Sequence, residues 1–297
     1  MSNSISLASK FLPILDEIYK KASLTSRMDA MTKPVEFGAA NEVKVFKTSM
    51  VGLGTYSRAT GYPSGDVTGA WETMQLAASR GRSFSIDRMD NEETLGQAFG
   101  TLVGEFIRTQ VVPEVDAYRF AKYAGTSGIS TVSEAALTTA SAVLAAFDVA
   151  MTQLDNDDVP DEGRILYISS AIYGLLKASV SRTLANETAA DRRVKDLDGV
   201  EVVVVPQTRF YTQVTLDAGS SSNAGGFSKT ASTGRDINFL LVHPSAVLQP
   251  VKHSMPKIFS PDENQTADAW LFQYRLYHDA FAYENKVDGI YLHKKNS

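Results

Sequence analysis

The sequence predicts a mixed α+β fold in which extended segments suited to contact are attached to a compact body. Three observations predict it. A long helical pattern begins at Asn91 and runs to Tyr123. The β-branched run Val200–Val205 is typical of a buried strand. A glycine-rich segment within residues 41–90 separates two strand-like stretches. With 297 residues, 43% of them hydrophobic, the chain is long enough to bury a substantial core in one large domain or two intertwined ones.

Residues 1–36 are predicted to form an arm. Pro13 suits the first turn of a helix. The apolar residues after it share one helical face: Ile14, Leu15, Ile18, Tyr19 and Ala22. Because a short amphipathic helix cannot bury its apolar stripe alone, this helix is expected to pack either on its own domain or on a neighbouring subunit.

Residues 37–90 are predicted to form a long, polar, two-stranded hairpin. Residues 42–45 alternate as in a strand, and strand character returns from Trp71 to Ile86. The stretch between them is thick with glycine and contains Pro63, as in a flexible loop. Two long polar strands make a poor core of their own. The hairpin is therefore either an ordinary surface hairpin or a loop that reaches over an adjacent subunit.

Residues 91–125 are predicted to form a long helix. Asn91 is expected to cap it, with Glu92 and Glu93 facing the positive end of its dipole. The apolar stripe has helical spacing: Leu95, Phe99, Leu102 and Phe106. Pro113 is expected to bend the helix and Gly125 to end it.

Residues 126–245 are predicted to alternate helix and strand around a buried sheet. Ser133 is expected to cap the first helix, and Ser169 or Ser170 the second. The strands are expected at 165–168, 200–205 and 237–242, and the loops at 155–163, 187–198 and 219–234.

Residues 246–297 are predicted to be rich in strands. The aromatic and leucine side chains from Trp270 to Leu276 alternate strictly, and Phe281 and Tyr283 are expected to continue that strand. Asp288-Gly289 is interpreted as a hairpin turn before a last strand. The long helix is the expected cover of this sheet.

Composition argues against several classes of function. The net charge of −5 disfavours a protein that grips DNA phosphates. The chain has no cysteine, which excludes disulfides and thiolate metal sites and suits a reducing cytoplasm. The first residues carry no basic region ahead of an apolar run, so no signal peptide is expected. No stretch approaches the roughly 18 apolar residues that span a bilayer.

The search for catalytic and metal-binding patterns finds no assembled reactive site. Phosphate-loop and nucleophile-elbow motifs are absent. The four histidines lack the spacing of a zinc site, and His243 and His278 are interpreted as hydrogen-bonded structural residues. An EF-hand beginning at Asp155 would require an oxygen ligand and glycine where Val159 and Pro160 stand. That loop is therefore interpreted as solvated, with a weak surface cation site as the alternative. No catalytic residue, cofactor or metal is assigned.

The order of these segments resembles that of HK97-fold major capsid proteins of tailed double-stranded DNA bacteriophages. The segments that carry the resemblance are ETLGQAFGTLVGEFIRTQVVPEVDAYRFAKYAG, FQYRLYHDAFAYENKVDGIYLH and GRILYISSAIYGLLKAS. In the family's terms the resemblance divides the chain as follows: N-arm 1–36, E-loop 37–90, spine helix of the P-domain 91–125, A-domain 126–245 and the remainder of the P-domain 246–297.

The resemblance implies a shell subunit, not an enzyme. It implies hexamers and pentamers that close into an icosahedral head around packaged DNA, with the E-loop lying across a neighbour's P-domain. The implied location is the virion capsid, assembled in the cytoplasm of a host bacterium. Because residues 1–36 are too short for a fused scaffolding domain, a separate scaffolding protein is expected, together with a portal and decoration proteins. Some members of the family join subunits through an isopeptide bond from a lysine of the E-loop. No lysine occurs here between Lys47 and Lys122, and the chain has no cysteine. A shell without covalent cross-links is therefore expected.

Two alternatives stay open. The first is an encapsulin-like compartment shell, which would enclose an enzyme instead of a genome. The second is a soluble enzyme whose site is built from scattered residues such as Glu284, Asp279 and His278. For the shell, the expected contacts between subunits lie at the hairpin tip, near the hairpin's second strand and in a charged loop: Tyr56, Arg58, Tyr62, Arg80, Arg82, Arg192 and Arg193.

Overall fold

The computed structural model describes residues 23–31, 36–37, 41–93, 97–134, 137–179, 194–220 and 224–296. The helix expected after Pro13 lies outside the described residues, as do Arg192 and Arg193.

The described residues contain sixteen strands, five α-helices, one π-helical turn and four 3₁₀ helices. The strands are β1 (Glu36–Phe37), β2 (Glu42–Met50), β3 (Val67–Gln75), β4 (Ala78–Asp87), β5 (Ser130–Glu134), β6 (Ile165–Ser169), β7 (Asp196–Leu197), β8 (Val200–Val205), β9 (Val214–Asp217), β10 (Gly226–Lys229), β11 (Ile237–Val242), β12 (Val247–Leu248), β13 (Val251–Phe259), β14 (Ala269–His278), β15 (Phe281–Ala282) and β16 (Ile290–Lys295). The α-helices are α1 (Arg88–Glu93), α2 (Gln97–Phe106), α3 (Val112–Ala124), α4 (Ala140–Asn156) and α5 (Ser170–Ser179). The π-helical turn is Ile107–Val111, and the 3₁₀ helices are Thr25–Met31, Gln207–Arg209, Pro244–Ala246 and Glu284–Gly289.

The predicted hairpin is present, but its second strand is shorter than expected. Strands β2 and β3 pair antiparallel from Glu42 opposite Gln75 to Met50 opposite Val67, and β1 pairs with the outer edge of β2. The single strand expected from Trp71 to Ile86 is wrong, because the chain breaks at residues 76–77 and β4 joins a different sheet. The break ends the hairpin at the body of the molecule.

The predicted long helix is interrupted where the proline was expected to act. The helical segment begins at Arg88, three residues before the predicted cap Asn91. A π-helical turn precedes Pro113, and the N–H of Val112 donates to the carbonyl of Ile107, five residues back. Since Pro113 has no N–H to offer, a wider turn at this point reconciles the helix with the proline. The helix ends before Gly125, as predicted, although Gly125 has a φ of −90° and does not use the left-handed conformation.

A six-stranded sheet forms the larger core, in the order β5-β16-β11-β6-β8-β7. The three predicted buried strands are confirmed as β6, β8 and β11. Alternate residues of β6 face opposite layers. Leu166 and Ile168 pack with helices α4 and α5, whereas Ile165 and Tyr167 pack with Phe120 at the end of α3.

A three-stranded antiparallel sheet, β13-β14-β4, forms a second core under the rod made of α2, the π turn and α3. Val103, Ile107 and Val111 of the rod pack on Phe272 and Leu276 of β14. The prediction that the long helix covers the sheet of the terminal strands is thereby confirmed. Because α3 reaches both sheets, the rod joins the two cores.

Four other predictions about local structure are wrong. Ser133 lies in β5, and Thr139 caps α4 instead, its hydroxyl accepting from the N–H of Ala142 at 3.3 Å. Residues 219–234 include β10, which pairs with β9. Phe281 does not extend β14 but pairs in the short strand β15 with Leu248 of β12. Residues 288–289 end a 3₁₀ helix, and β16 pairs with β11 and, in parallel, with β5.

A buried carboxylate ties the first described residues to the rod. Asp116, fully buried, accepts hydrogen bonds from the hydroxyl of Ser23 at 2.8 Å and that of Thr25 at 2.7 Å. Its second oxygen accepts from the N–H of Leu24 at 3.0 Å and from Arg209 at 3.2 Å. A buried charge is stable only when such partners surround it, so this cluster fixes residues 23–25 to helix α3.

Candidate assembly surface

The hairpin carries most of the large apolar side chains that are exposed among the described residues. Twelve large apolar side chains are exposed among the described residues, and nine of them lie in the hairpin region: Phe37, Phe46, Met50, Val51, Leu53, Tyr56, Tyr62, Val67 and Trp71. The predicted hairpin is partly polar, and most of the large apolar side chains that it does contain are exposed. A concentration of apolar side chains on one projecting element marks an interaction surface.

Two aromatic pairs organise this surface. Phe46 and Trp71 stand opposite each other in the strand register, with ring centroids 5.1 Å apart in an edge-on arrangement. Gly69 leaves space for the pair, because a Cβ there would lie 2.5 Å from Cζ of Phe46. At the tip, Tyr56 and Tyr62 are 5.0 Å apart. Pairs of this kind keep rings in place while leaving their outer faces open to a partner.

The tip between the two tyrosines is a tight turn. Ser57 and Gly61 form an isolated antiparallel bridge, and the carbonyl of Ser57 accepts from the N–H of Gly61 at 2.8 Å. Gly61 has a φ of 79°, a conformation that side chains disfavour. The turn presents Arg58 to solvent.

The root of the hairpin is fastened to the body. Val43 and Met74 are buried against Leu248 and Tyr283. Lys47 forms an ion pair with Glu284, in which its ammonium group also donates a hydrogen bond to the carboxylate. That hydrogen bond raises the pKa of Lys47. A rigid root with an apolar, exposed outer half is the geometry of a projecting contact arm.

Arg80 lies among elements of its own chain. Its Nε donates to Glu114 of α3 at 2.6 Å, and its Nη atoms donate to the carbonyls of Asp217 at 2.8 Å and Gly226 at 3.1 Å. The Glu114 carboxylate raises the pKa of Arg80. Arg80 thus joins β4 to the rod and to the β9–β10 hairpin.

Arg82 is exposed on the same strand, and its guanidinium lies against the loop between β9 and β10. A Cβ on Gly219 would lie 2.6 Å from Nη1 of Arg82. The predicted contact residues that the structure describes therefore fall into two places, the tip and the β4 region, and their contacts with another subunit stay predictions.

A cleft of about 830 Å³ opens beside Arg80 and Arg82. One wall is the rod, with Phe106 and Val111. The floor is the three-stranded sheet, with Phe84 and Tyr274. The remaining wall is formed by residues 217–219 and 224–226, at the two ends of the β9–β10 loop. Sequence reasoning missed this cleft because the three walls come from distant parts of the chain.

His243 and His278 pack inside the body. His243 is buried, and its ring nitrogens contact the carbonyl of Glu162 at 3.1 Å and the hydroxyl of Ser245 at 2.8 Å, as predicted for a structural histidine. His278 is buried against the ring of Tyr118, but its Nδ1 has no hydrogen-bond partner, so the hydrogen-bonded interpretation is wrong for that atom. Burial lowers the pKa of His278 to about 3, helped by the charges of Arg119 and Arg80.

Asp279 and Glu284, the other residues of the proposed enzyme site, also have structural partners. The buried Asp279 carboxylate accepts from the hydroxyl of Tyr118 at 2.9 Å and from the N–H of Ala77 at 2.8 Å. Glu284 pairs with Lys47. These residues hold the hairpin root to the rod.

Acidic side chains at the end of α4 and in the loop after it pair with an arginine. The side chain of Arg164 is fully buried, and its guanidinium lies 2.7 Å from the Asp155 carboxylate and 2.8 Å from that of Asp161. Within the described parts of the chain, no cluster of three or more histidine, cysteine or acidic side chains could hold a metal ion. None of the described helices is both long and apolar enough to cross a membrane.

Comparison with known proteins finds similarity only at the level of structure. No protein-family model and no curated protein matches the sequence. The capsid of cyanophage P-SCSP1u is 13% identical with a TM-score of 0.63, over 90% of this chain and 87% of that one. The mature capsid of bacteriophage PhiM1 is 14% identical with a TM-score of 0.56, over 87% and 83%. A virus-like particle from Pyrococcus furiosus is 12% identical with a TM-score of 0.55, over 94% and 95%. The chain therefore has the fold of phage capsid proteins, the HK97-like fold that its segment order resembles.

Proposed function

We propose that this chain is a major capsid protein that assembles with copies of itself into an icosahedral phage head. The observation that carries the proposal is the hairpin, which combines a fastened root with nine exposed apolar side chains. Such a surface is costly in a monomer and is stabilised when another protein covers it. The likeness of most of the chain to phage capsid structures supports the same function.

Assembly would proceed through a heterologous contact, in which two neighbouring copies contribute different surfaces. The hairpin of one copy lies on the body of the next, and repetition of such a contact closes into a ring. We propose rings of six and five subunits that together close a shell. The division into N-arm, E-loop, spine helix, A-domain and P-domain belongs to this proposal, with the hairpin as the E-loop.

The enclosed cargo would be double-stranded DNA held without sequence-specific contacts. The net charge of −5 suits a shell that must not clamp its contents. A separate scaffolding protein, a portal and decoration proteins would be the partners, and assembly would take place in the cytoplasm of the host bacterium.

Negative-stain electron microscopy of the purified protein tests the proposal. We expect closed particles of uniform diameter, or open sheets and rings of the same subunit when the scaffolding protein is missing. A preparation that contains only small oligomers, with or without added scaffolding protein, would contradict it and favour an enzyme.

The shell is proposed to hold without covalent links. Boiling particles in detergent should release single chains on a gel, since the chain has no cysteine and Lys47 is engaged with Glu284. A ladder of multimers would refute this part of the proposal.

A compartment shell is the second candidate, favoured by the likeness to the Pyrococcus furiosus particle. The contents of purified particles distinguish the two. Packaged DNA in particles from infected cells supports the phage head, whereas a single enriched cargo protein supports the compartment.

A further inference from the structure

We propose that the outer face of the three-stranded sheet contacts the phosphate backbone of the enclosed double-stranded DNA. The outer face consists of the side chains of β13, β14 and β4 that point away from the rod. The inference rests on the proposed function and deepens it, because it names the side of the subunit that meets the cargo. The ligand is recognised by its chemistry, as a duplex polyanion.

The register of the sheet assigns each side chain to one of its two faces. Phe272, Tyr274 and Leu276 of β14 are buried under the rod. Because successive side chains of a strand point to opposite faces, Gln273 and Arg275 point away from the rod, and both are exposed. Directly opposite residues of paired strands share a face, so the partners of Gln273 and Arg275 in β13 and β4 also belong to the outer face.

Arg275 lies at the centre of a group of hydrogen-bond donors on this face. Gly81 of β4 is its direct neighbour. Four donor side chains lie diagonal to it, at about 7–8 Å, two on β13 and two on β4: His253, Lys257, Ser79 and Ser83. Arginine, lysine and serine are residue types that contact phosphate oxygens of DNA, and a histidine ring supplies a further N–H.

The positive charge of the outer face has no acidic partner. Asp87 is the one acidic residue in the sequences of the three strands, and its Oδ1 accepts from the N–H of Met89 at 2.9 Å. Among the described residues, the guanidinium of Arg275 donates only to the hydroxyl of Ser79, at 3.5 Å, and Lys257 has no ion pair. Such a group within a chain of net charge −5 favours an anionic partner.

The opposite face of the same sheet shows the contrast. There Arg80 donates to Glu114 of the rod at 2.6 Å, so its charge is matched inside the subunit. Cations that serve the fold are paired in this way, whereas those of the outer face remain available to a ligand.

The outer face also has low relief beside its cations. On β4 it carries serine and glycine only, at positions 79, 81, 83 and 85. A Cβ on Gly81 would lie 3.0 Å from the carbonyl oxygen of Tyr274, so a larger residue is disfavoured next to Arg275. A duplex can therefore approach the strand without meeting long side chains.

The spacing of the donors suits a duplex backbone. His253 and Lys257 are separated by about 13 Å at roughly 3.3 Å per residue. Double-stranded DNA carries one negative charge per about 1.7 Å of its axis, so several phosphates pass over the face. Two cations per subunit make each contact weak, and repetition over a shell holds the DNA without reading its sequence.

Duplex binding by the purified protein, as free subunits and as open sheets or rings, tests the inference. Fluorescence anisotropy of a short labelled duplex is measured against salt concentration. Lys257→Gln/Arg275→Gln should weaken binding at low salt by about tenfold or more and reduce the salt dependence by about one unit of slope per cation removed. The control Lys195→Gln/Lys295→Gln removes the same charge from exposed positions on the six-stranded sheet and should bind as the unaltered protein does.

Three outcomes of this measurement would overturn the inference. They are unchanged binding by the first pair, an equal loss in the control pair, and binding of polyglutamate where the duplex is not bound. The last would assign the face to an acidic protein segment instead of DNA. All three leave the shell function standing, because particle formation is scored separately by electron microscopy.

A labelling experiment tests which side of the shell the face occupies. The chain has no natural cysteine, so Lys257→Cys carries a single thiol. A maleimide on a polymer too large to enter closed particles should leave that thiol unlabelled until the particles are dissociated. Complete labelling of intact closed particles would place the face outside and overturn the inference. Failure of the unaltered protein to assemble under any condition would instead contradict the proposed function.

Discussion

Replacement of Trp71 by serine should weaken assembly strongly and leave the fold of the single chain almost unchanged. The indole is 59% exposed, and it lies on the outer half of the hairpin with Phe46 as its ring partner. Covering that fraction of a side chain that buries roughly 200 Å² removes about 120 Å² from water, worth about 3 kcal/mol per contact. The concentration at which particles appear should therefore rise roughly 150-fold.

The assay is light scattering against protein concentration, with electron microscopy of the endpoint. Val149→Ser is the matched control, because Val149 is 57% exposed on helix α4 and lies far along the chain from the hairpin. Circular dichroism should show closely similar melting for both variants. Particle formation by Trp71→Ser at the concentration of the unaltered protein would refute the reasoning, as would an equal defect in Val149→Ser.

Three further predictions concern stability. Asp116→Ala should lower the free energy of unfolding by about 3–5 kcal/mol, since it leaves buried donors and Arg209 without their acceptor; the exposed Asp148→Ala should change it by about 0.5 kcal/mol or less in denaturant titration. His278 has a folded-state pKa of about 3, below its ordinary value of 6.5, so the unfolded chain binds the extra proton first. Its contribution is complete above about pH 6.5 and is lost as the pH falls toward 3, and His278→Asn should lose about 2 kcal/mol less between pH 7 and pH 5 than the unaltered protein. An equal loss in both proteins would contradict this assignment. Gly234→Ala should destabilise by about 1–3 kcal/mol, since its Cβ would lie 2.6 Å from the carbonyl oxygen of Thr230, whereas Gly174→Ala in α5 meets nothing within 4 Å and should stabilise by about 0.5–1 kcal/mol; thermal melts that place both on the same side would refute the packing argument.

The buried strands could be predicted from the sequence because burial on both faces favours nearly continuous apolar runs. Ile237–Val242 is buried at all six positions, and five of its six residues are apolar, Asn238 being the exception. The strands β9 and β10 carry partly exposed residues and sit beside glycines, so their composition is that of a loop. These two segments are strands because they pair with each other.

The second limit on prediction from sequence was the question of which strands pair with each other. Residues 288–289 have the composition of a turn, but a turn dipeptide does not state which strands flank it. The strand after it, β16, lies between β11 and β5, both of which come earlier in the chain. Ser133 illustrates the same point, since it can cap a helix but is taken into β5 by that parallel pairing.

The candidate assembly surface could be predicted in outline only. Glycine content and strand pattern located the hairpin and its tip, including Tyr56 and Tyr62. The apolar face was missed, because alternation in β2 and β3 ordinarily implies a buried side, and here Phe46 and Trp71 remain open. The cleft was missed because it depends on how the β9–β10 loop is held by Arg80.

Sedimentation velocity over a wide range of protein concentration tests most directly whether the hairpin needs sister molecules. We expect a sharp, fast-sedimenting species of closed particles to appear above a threshold concentration, with the concentration of free subunit constant beyond it. A single slow monomer at every concentration, with the hairpin amides of residues 42–75 protected from hydrogen exchange, would contradict the account.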